Sequence, residues 1–326
     1  MPRIADRRAA RLADLEEMES QWERTTRLCS SLHTAAPHQL NKFMIRSSFF
    51  FTKPDETGTP PIVRIAAPRG VNLQLYLLIL FEAQCRKRNG FAGPSPLPLN
   101  SREEVHSWTS LTFSKATQND ALKVPISARA NRERQVRSAL KRLADEGLIQ
   151  RNVGTPPRAV MALDESGKQR KETAYYHVPD PFESVITIPT EFVTQGWLYL
   201  LTPAEIRFYF AFRHLEKRYL RRAGAYFSPE ARTSEYFLPR DVYESHLMLD
   251  RLGLIQRVAD PRRRSDGKLV DFPSYAKRGE KWPIHLFQLG DDTLLRQPAH
   301  DSVRRALLNR PRPQRPQRPQ IGPLFS

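Results

Sequence analysis

Between Ser127 and Arg151 the apolar residues Val136, Ala139, Leu140 and Leu143 recur at the period of one helix face. The segment predicts an amphipathic helix that stops at Gly147, where a left-handed end suits glycine, and turns back as a strand from Leu148-Ile149. The pattern returns 106 positions later, in Val242 to Val258: Val136 falls on Val242, Leu143 on Leu249, and Gly147-Leu-Ile-Gln-Arg151 on Gly253-Leu-Ile-Gln-Arg257. Two matching units in one chain predict an internal duplication.

The other periodic stretches frame these two units. Arg3 to Leu32 predicts one helix carrying Leu12, Leu15, Met18, Trp22 and Leu28, packed on its own domain or, alternatively, forming a homodimer contact. Lys42 to Lys53 and Ile62 to Ala66 predict strands, and Leu73 to Arg88 a core helix. Ser101 to Glu104 has a capping-box pattern expected to open a short helix through His106 and Trp108. Leu111 to Ile126 lacks a period and predicts an insertion loop. Arg151 to Val178 predicts the returning strands of a wing tipped by Lys168, Arg170 and Lys171. After Pro179-Asp-Pro181 the order restarts with strand Val185 to Pro189 and a helix from Thr202 to Arg222, whose Thr202-Pro-Ala-Glu205 start supplies a cap. Ser228-Pro-Glu230 opens a short helix, Pro239 a third that ends at Gly253, and Arg257 to Leu289 a second wing. The expected division is a helical arm (1–41), a first domain (42–180), a second (181–300) and a disordered Arg/Pro/Gln-rich tail (301–326).

Charge sharpens this picture. Among 326 residues, 52 Lys and Arg stand against 35 Asp and Glu, a net charge of +17 that favours a polyanion. No long apolar run and no signal peptide are evident, so a membrane is not expected and a cytoplasmic place beside nucleic acid is. Two isolated cysteines, Cys29 and Cys85, argue against a disulfide framework or structural zinc. The two units differ in charge. From Arg129 to Arg151, seven cations meet three acids. From Leu238 to Arg257, three cations meet three acids.

These patterns predict an α+β fold, mainly α, of two tandem winged-helix (helix-turn-helix) domains, with an N-terminal helix and a disordered C-terminal tail. In that geometry the third helix enters the major groove of DNA and the wing follows the backbone. Arg134, Arg137 and Lys141, spaced on one helix face, are expected to contact the groove; Arg129, Arg132, Arg142 and the wing cations Lys168, Arg170 and Lys171 are expected on phosphates. In the second unit the candidates are Arg262, Arg263, Arg264 and Lys268. No phosphate-loop motif, metal-spaced histidine pair or paired-carboxylate helix is present, so no catalytic residue, metal or cofactor is expected; His106 and His246 read as ordinary helix positions.

The order of elements resembles the theta-type plasmid replication initiators. An apolar strand precedes the first helix of each unit (Ile62 to Ala66; Val185 to Pro189 before Leu201-Thr-Pro-Ala-Glu205). Ile188-Pro-Thr-Glu-Phe192, Gly196-Trp197 and Leu201-Thr-Pro-Ala-Glu205 look like segments of replication or regulatory proteins of high-GC Gram-positive plasmids. The resemblance spans about residues 45 to 290. It implies double-stranded DNA binding at repeated origin sites, local duplex opening, recruitment of host replication proteins and a monomer–dimer switch. In such initiators the second domain often carries the main DNA contact, whereas here the first helix is the more cationic. The terminus Gln320-Ile-Gly-Pro-Leu324-Phe325 resembles peptides that dock on the sliding clamp, with Gln320, Leu324 and Phe325 as anchors. The expected function is therefore a sequence-specific duplex-binding replication initiator. A winged-helix transcription regulator and a protein-binding partition or assembly adaptor are the alternatives.

Overall fold

In the computed structural model, residues 4–66, 70–101, 105–114, 117–119, 124–153, 159–167, 174–219, 224–258, 270 and 285–309 are described. The N-terminal segment is two helices, α1 (Ile4–Glu17) and α2 (Glu19–Thr34), broken at Met18. Neither stands free. Cys29 lies against Tyr199 (Sγ to Oη 2.8 Å), Ser30 donates to the Thr194 carbonyl, and Arg11 pairs with Glu205 at 2.7 Å. The arm is thus seated on the second half of the chain.

Strand β1 (Lys42–Arg46) alternates exposed and buried positions, placing Phe43 and Ile45 in the core. The expected longer strand gives way at Ser47–Phe49 to a single tight turn. Ile62 to Ala66 is not a strand. Pro60 is extended and Pro61 occupies the first turn, so Pro61–Ile65 forms a short helix, α3. Helix α4 (Asn72–Arg86) is almost wholly buried. Its Gln84 amide accepts from the Met44 N–H (3.0 Å) and donates to the Met44 carbonyl (2.7 Å) and to Tyr176 (2.9 Å), completing the edge of β1.

Strand β2 (Gly90–Phe91) follows. The expected helix through His106 and Trp108 is instead bends and one turn, with the Leu111 N–H donating to the Ser107 carbonyl; Trp108 and Leu111 are fully buried. Residues 102–104 lie outside the described residues. The expected insertion loop contains a small hairpin, β3 (Thr117–Asn119) with β4 (Val124–Ile126). Helix α5 (Ala128–Asp145) then leads into hairpin β5 (Ile149–Val153) and β6 (Ala159–Ala162). Residues 154–158, between the two strands, and Lys168, Arg170 and Lys171, expected at the wing tip, lie outside the described residues. A bridge from Leu163 to Tyr175 continues the ribbon toward β7 (His177–Val178), which pairs with β2.

The second half repeats the order. Strand β8 (Val185–Pro189) pairs antiparallel with β1, with Met44 opposite Thr187 at the centre. Two short helices, α6 (Glu191–Thr194) and α7 (Trp197–Leu200), precede α8 (Pro203–Tyr219). The α8 start is a reciprocal cap: Glu205 N–H donates to Thr202 Oγ1 and Thr202 N–H to Glu205 Oε2. A π-helical turn at Ala231–Glu235 follows. The expected third helix is split at Glu244-Ser245 into α9 (Arg240–Tyr243) and α10 (His246–Arg251). Strands β9 (Ile255–Val258) and β10 (Leu286–Leu289) pair, and Ala225 bridges to Phe287. Finally α11 (Ala299–Leu308), with Val303, Ala306 and Leu307 buried, packs on α1, so the expected tail (301 onward) is helical through Leu308.

The fold is mixed α+β, helices dominating, with its described strands in antiparallel pairs. One continuous core runs through both halves. Phe49 packs on Tyr76 of α4, while Phe50 and Phe51 pack on His214 of α8 and Phe51 also on Tyr236. Among the described residues, no helix is long and apolar enough to cross a membrane.

Candidate nucleic-acid interface

Helix α5 is held at both ends and along one face. Ser127 caps its start, accepting from the Ala130 N–H at 3.2 Å. Val136, Ala139, Leu140 and Leu143 are buried, on the side packed against α4. Asn131 is buried and donates to Ser114 Oγ at 2.9 Å. At the far end Leu148 N–H donates to the Leu143 carbonyl and Gly147 N–H to the Ala144 carbonyl, with Gly147 at φ 69°. This doubly bonded closure with a left-handed glycine satisfies carbonyls the helix would otherwise leave open.

The second unit closes identically, 106 residues later. Leu254 N–H donates to the Leu249 carbonyl and Gly253 N–H to the Asp250 carbonyl, with Gly253 at φ 74°. In both units a two-stranded hairpin begins one residue further on, at Ile149 and at Ile255.

What the two helices present differs. On α5, Arg129, Arg134, Arg137, Lys141 and Arg142 are exposed. Arg137 lies 3.9 Å and Arg129 3.7 Å from Glu133, loose surface pairs that a phosphate can displace at little cost. Arg134 bonds Asn131 Oδ1 at 3.0 Å, and Lys141 has no ion pair among the described residues. Two predicted cations are more committed. Arg132 is half-buried and donates to Gln21 of α2 at 2.9 Å. Arg142 pairs at 3.1 Å with the nearly buried Glu146, which also holds Arg64 at 2.7 Å. That pair anchors the helix end to α3.

At the start of α5 the structure brings in a residue the sequence reading missed. Arg24 of α2 lines a shallow cleft with Arg129, Arg132, Glu133, Ser101, Thr109 and Ser110. Arg24 is more than seventy positions from every cleft neighbour, and nothing in its local pattern marks it. Around α9 and α10, Arg240 pairs with Glu244 (2.7 Å), and Asp250 of α10 pairs with Arg257 of β9 (3.0 Å). His246 is buried there, and Leu247 is exposed. The candidates Arg262, Arg263, Arg264 and Lys268, and the terminal Gln320, Leu324 and Phe325, lie outside the described residues.

Two further reactive groups, Cys29 and His214, are locked into packing. Burial pushes the Cys29 thiol up to about 12, Tyr199 opposing, and burial pushes the His214 imidazole down to about 4. Among the described residues, no cluster of three or more His, Cys, Asp or Glu is placed to hold a metal. No family model, curated protein or solved structure gives a significant match to the chain.

Proposed function

We propose that the chain is a duplex-DNA-binding protein of tandem winged-helix type. Each half supplies a long first helix (α4, α8), a short extended segment pairing with the returning ribbon (β2; Ala225), a turn, a glycine-closed helix and a hairpin, the order of that class. The observation that carries the reading is α5. Its apolar side is locked to α4, and the other side offers Arg134, Arg137 and Lys141 to solvent beside hairpin β5–β6. A helix so placed can lie along a groove while flanking cations neutralise phosphates. The first unit is the main reader in this account, because α10 is short and carries one cation, Arg251, against the three that α5 offers to solvent at Arg134, Arg137 and Lys141.

Within that class we propose a replication initiator of plasmid type. This rests on the resemblance in the order of elements and on the motifs at Ile188 to Phe192, Gly196-Trp197 and Leu201 to Glu205. Footprinting on the DNA upstream of the gene tests it, together with transformation of a plasmid carrying only the gene and that DNA. Protection of short tandem repeats and autonomous replication are expected. Protection of a single inverted repeat over the promoter, without replication, would replace initiation by transcriptional regulation.

A further inference from the structure

The β2–β7 ribbon carries a feature that duplex binding does not use. Phe91 stands directly opposite His177, and Tyr175, two residues along, falls on the same face by strand alternation. The opposite face points inward: Ala92, Tyr176 and Val178 are buried. On the outer face Phe91 is 46% and Tyr175 51% exposed, with Phe91 ring centroids 5.5 Å from Tyr175 and 5.8 Å from His177. Three rings are therefore grouped on a face that the described residues leave open to solvent. An exposed aromatic cluster of this kind marks a contact surface.

The turn that feeds the ribbon is cationic and rigidly placed. Arg86 is tied to Glu82 at 2.8 Å and donates to the Ala92 and Gly93 carbonyls, fastening the ribbon to the end of α4. Lys87 and Arg88, next in sequence, are exposed. Gly90, at φ 73°, turns the chain from these cations into Phe91. Of the acids near β7, Glu183 is engaged by Arg46 at 2.6 Å, Asp180 accepts from the Phe182 N–H, and Asp164 accepts from Ser166. No Asp or Glu occurs between Glu82 and Arg102.

We propose that this face binds an unpaired nucleic-acid strand, with bases stacking on Phe91, Tyr175 and His177 and phosphates meeting Lys87 and Arg88. Rings flanked by cations suit this ligand, because every base has a stackable face and every linkage a negative charge. A second copy of the chain is a poorer occupant, since a symmetric contact centred on these rings would bring the Lys87-Arg88 pairs of two copies together. The inference goes beyond duplex binding and stands or falls separately from it.

The test uses the full-length protein and a labelled oligothymidine of about 16 nucleotides, with a duplex of equal length measured in parallel. Phe91→Ala/Tyr175→Ala is expected to weaken oligothymidine binding at least ~10-fold and leave duplex affinity within about twofold. Lys87→Ala/Arg88→Ala is expected to weaken it and flatten its salt dependence. Phe91→Trp, which keeps a stacking ring, is expected to retain binding. Should the double variant fail to fold, Tyr175→Ala alone is read the same way. Unchanged oligothymidine affinity in the ring variants overturns the proposal, and so does an equal loss on strand and duplex. It is also overturned if light scattering finds only a change of oligomeric state, with strand binding intact. Wild-type protein that binds oligothymidine but no duplex would sink the duplex reading and leave this one standing.

Discussion

His214 illustrates how one side chain can serve packing rather than chemistry. Its ring lies against Phe50 and Phe51, and Nδ1 is 2.9 Å from the Tyr236 hydroxyl. Burial is the main reason the imidazole is pushed down to about 4, with Arg218 and Lys217 adding to it. The folded chain therefore stays unprotonated at this site while the unfolded chain takes up a proton below about 6.5. Its contribution to stability is complete above pH 6.5 and is lost as pH falls from 6.5 toward 4. Urea unfolding of wild type and His214→Phe across that range should diverge, the variant losing less stability on acidification. Parallel curves would contradict this placement. Nothing in the sequence near His214 signals this role, because its partners are more than a hundred residues away or on another element.

At the scale of elements, the glycine-closed helix is where sequence and structure agree best. The apolar stripe of α5, its Ser127 start and its Gly147 end are local features, set by residues within one or two turns, and all are found. The Thr202–Glu205 cap is legible for the same reason. Ile62 to Ala66 predicts a strand yet folds as a helix, because a short apolar run has no length over which period two and period 3.6 can be told apart. The two prolines before it decide for a helix. Arg24 and the Arg132–Gln21 bond were illegible, because they depend on where α2 docks. Since Gly147 and Gly253 both sit at positive φ, Gly147→Ala and Gly253→Ala should each cost about 1–2 kcal/mol. A lowered urea midpoint at unchanged slope is expected for both. If stability were unaffected, the left-handed closure would not be what ends these helices.

For the whole molecule, the halves are joined by the β1–β8 pairing, and Arg46 closes its end. Its guanidinium bonds Glu165 at 2.8 Å and Glu183 at 2.6 Å, its N–H donates to Glu165 Oε1 at 2.8 Å, and its Nη1 also donates to the His177 carbonyl. Burial pushes the Glu165 carboxyl up to about 7, with Arg46 pulling it back. One residue at the end of β1 thus ties together the turn after β6, the linker before β8 and the β2–β7 ribbon. Arg46→Ala leaves a fully buried carboxyl without its partner and should cost on the order of 3–5 kcal/mol. Because the core is continuous, both halves should still melt together, in one calorimetric transition. A variant that separates into two transitions would mean the halves hold themselves up independently. None of this joint could be read from periodicity. The β1–β8 pairing joins residues more than a hundred apart, and repeat logic alone predicts two units without saying how they meet.

The central claim is that the outward side of α5 is a DNA-reading surface, and the triple variant Arg134→Ala/Arg137→Ala/Lys141→Ala tests it most directly. These side chains are exposed, so the variant should melt with the wild type. Fluorescence anisotropy on duplex from upstream of the gene, over a range of salt, is predicted to lose specific binding by about 1–3 kcal/mol for each base contact removed, and to lose about one unit of salt slope for each phosphate contact. A folded triple variant that binds that duplex with wild-type affinity and salt dependence would contradict the account.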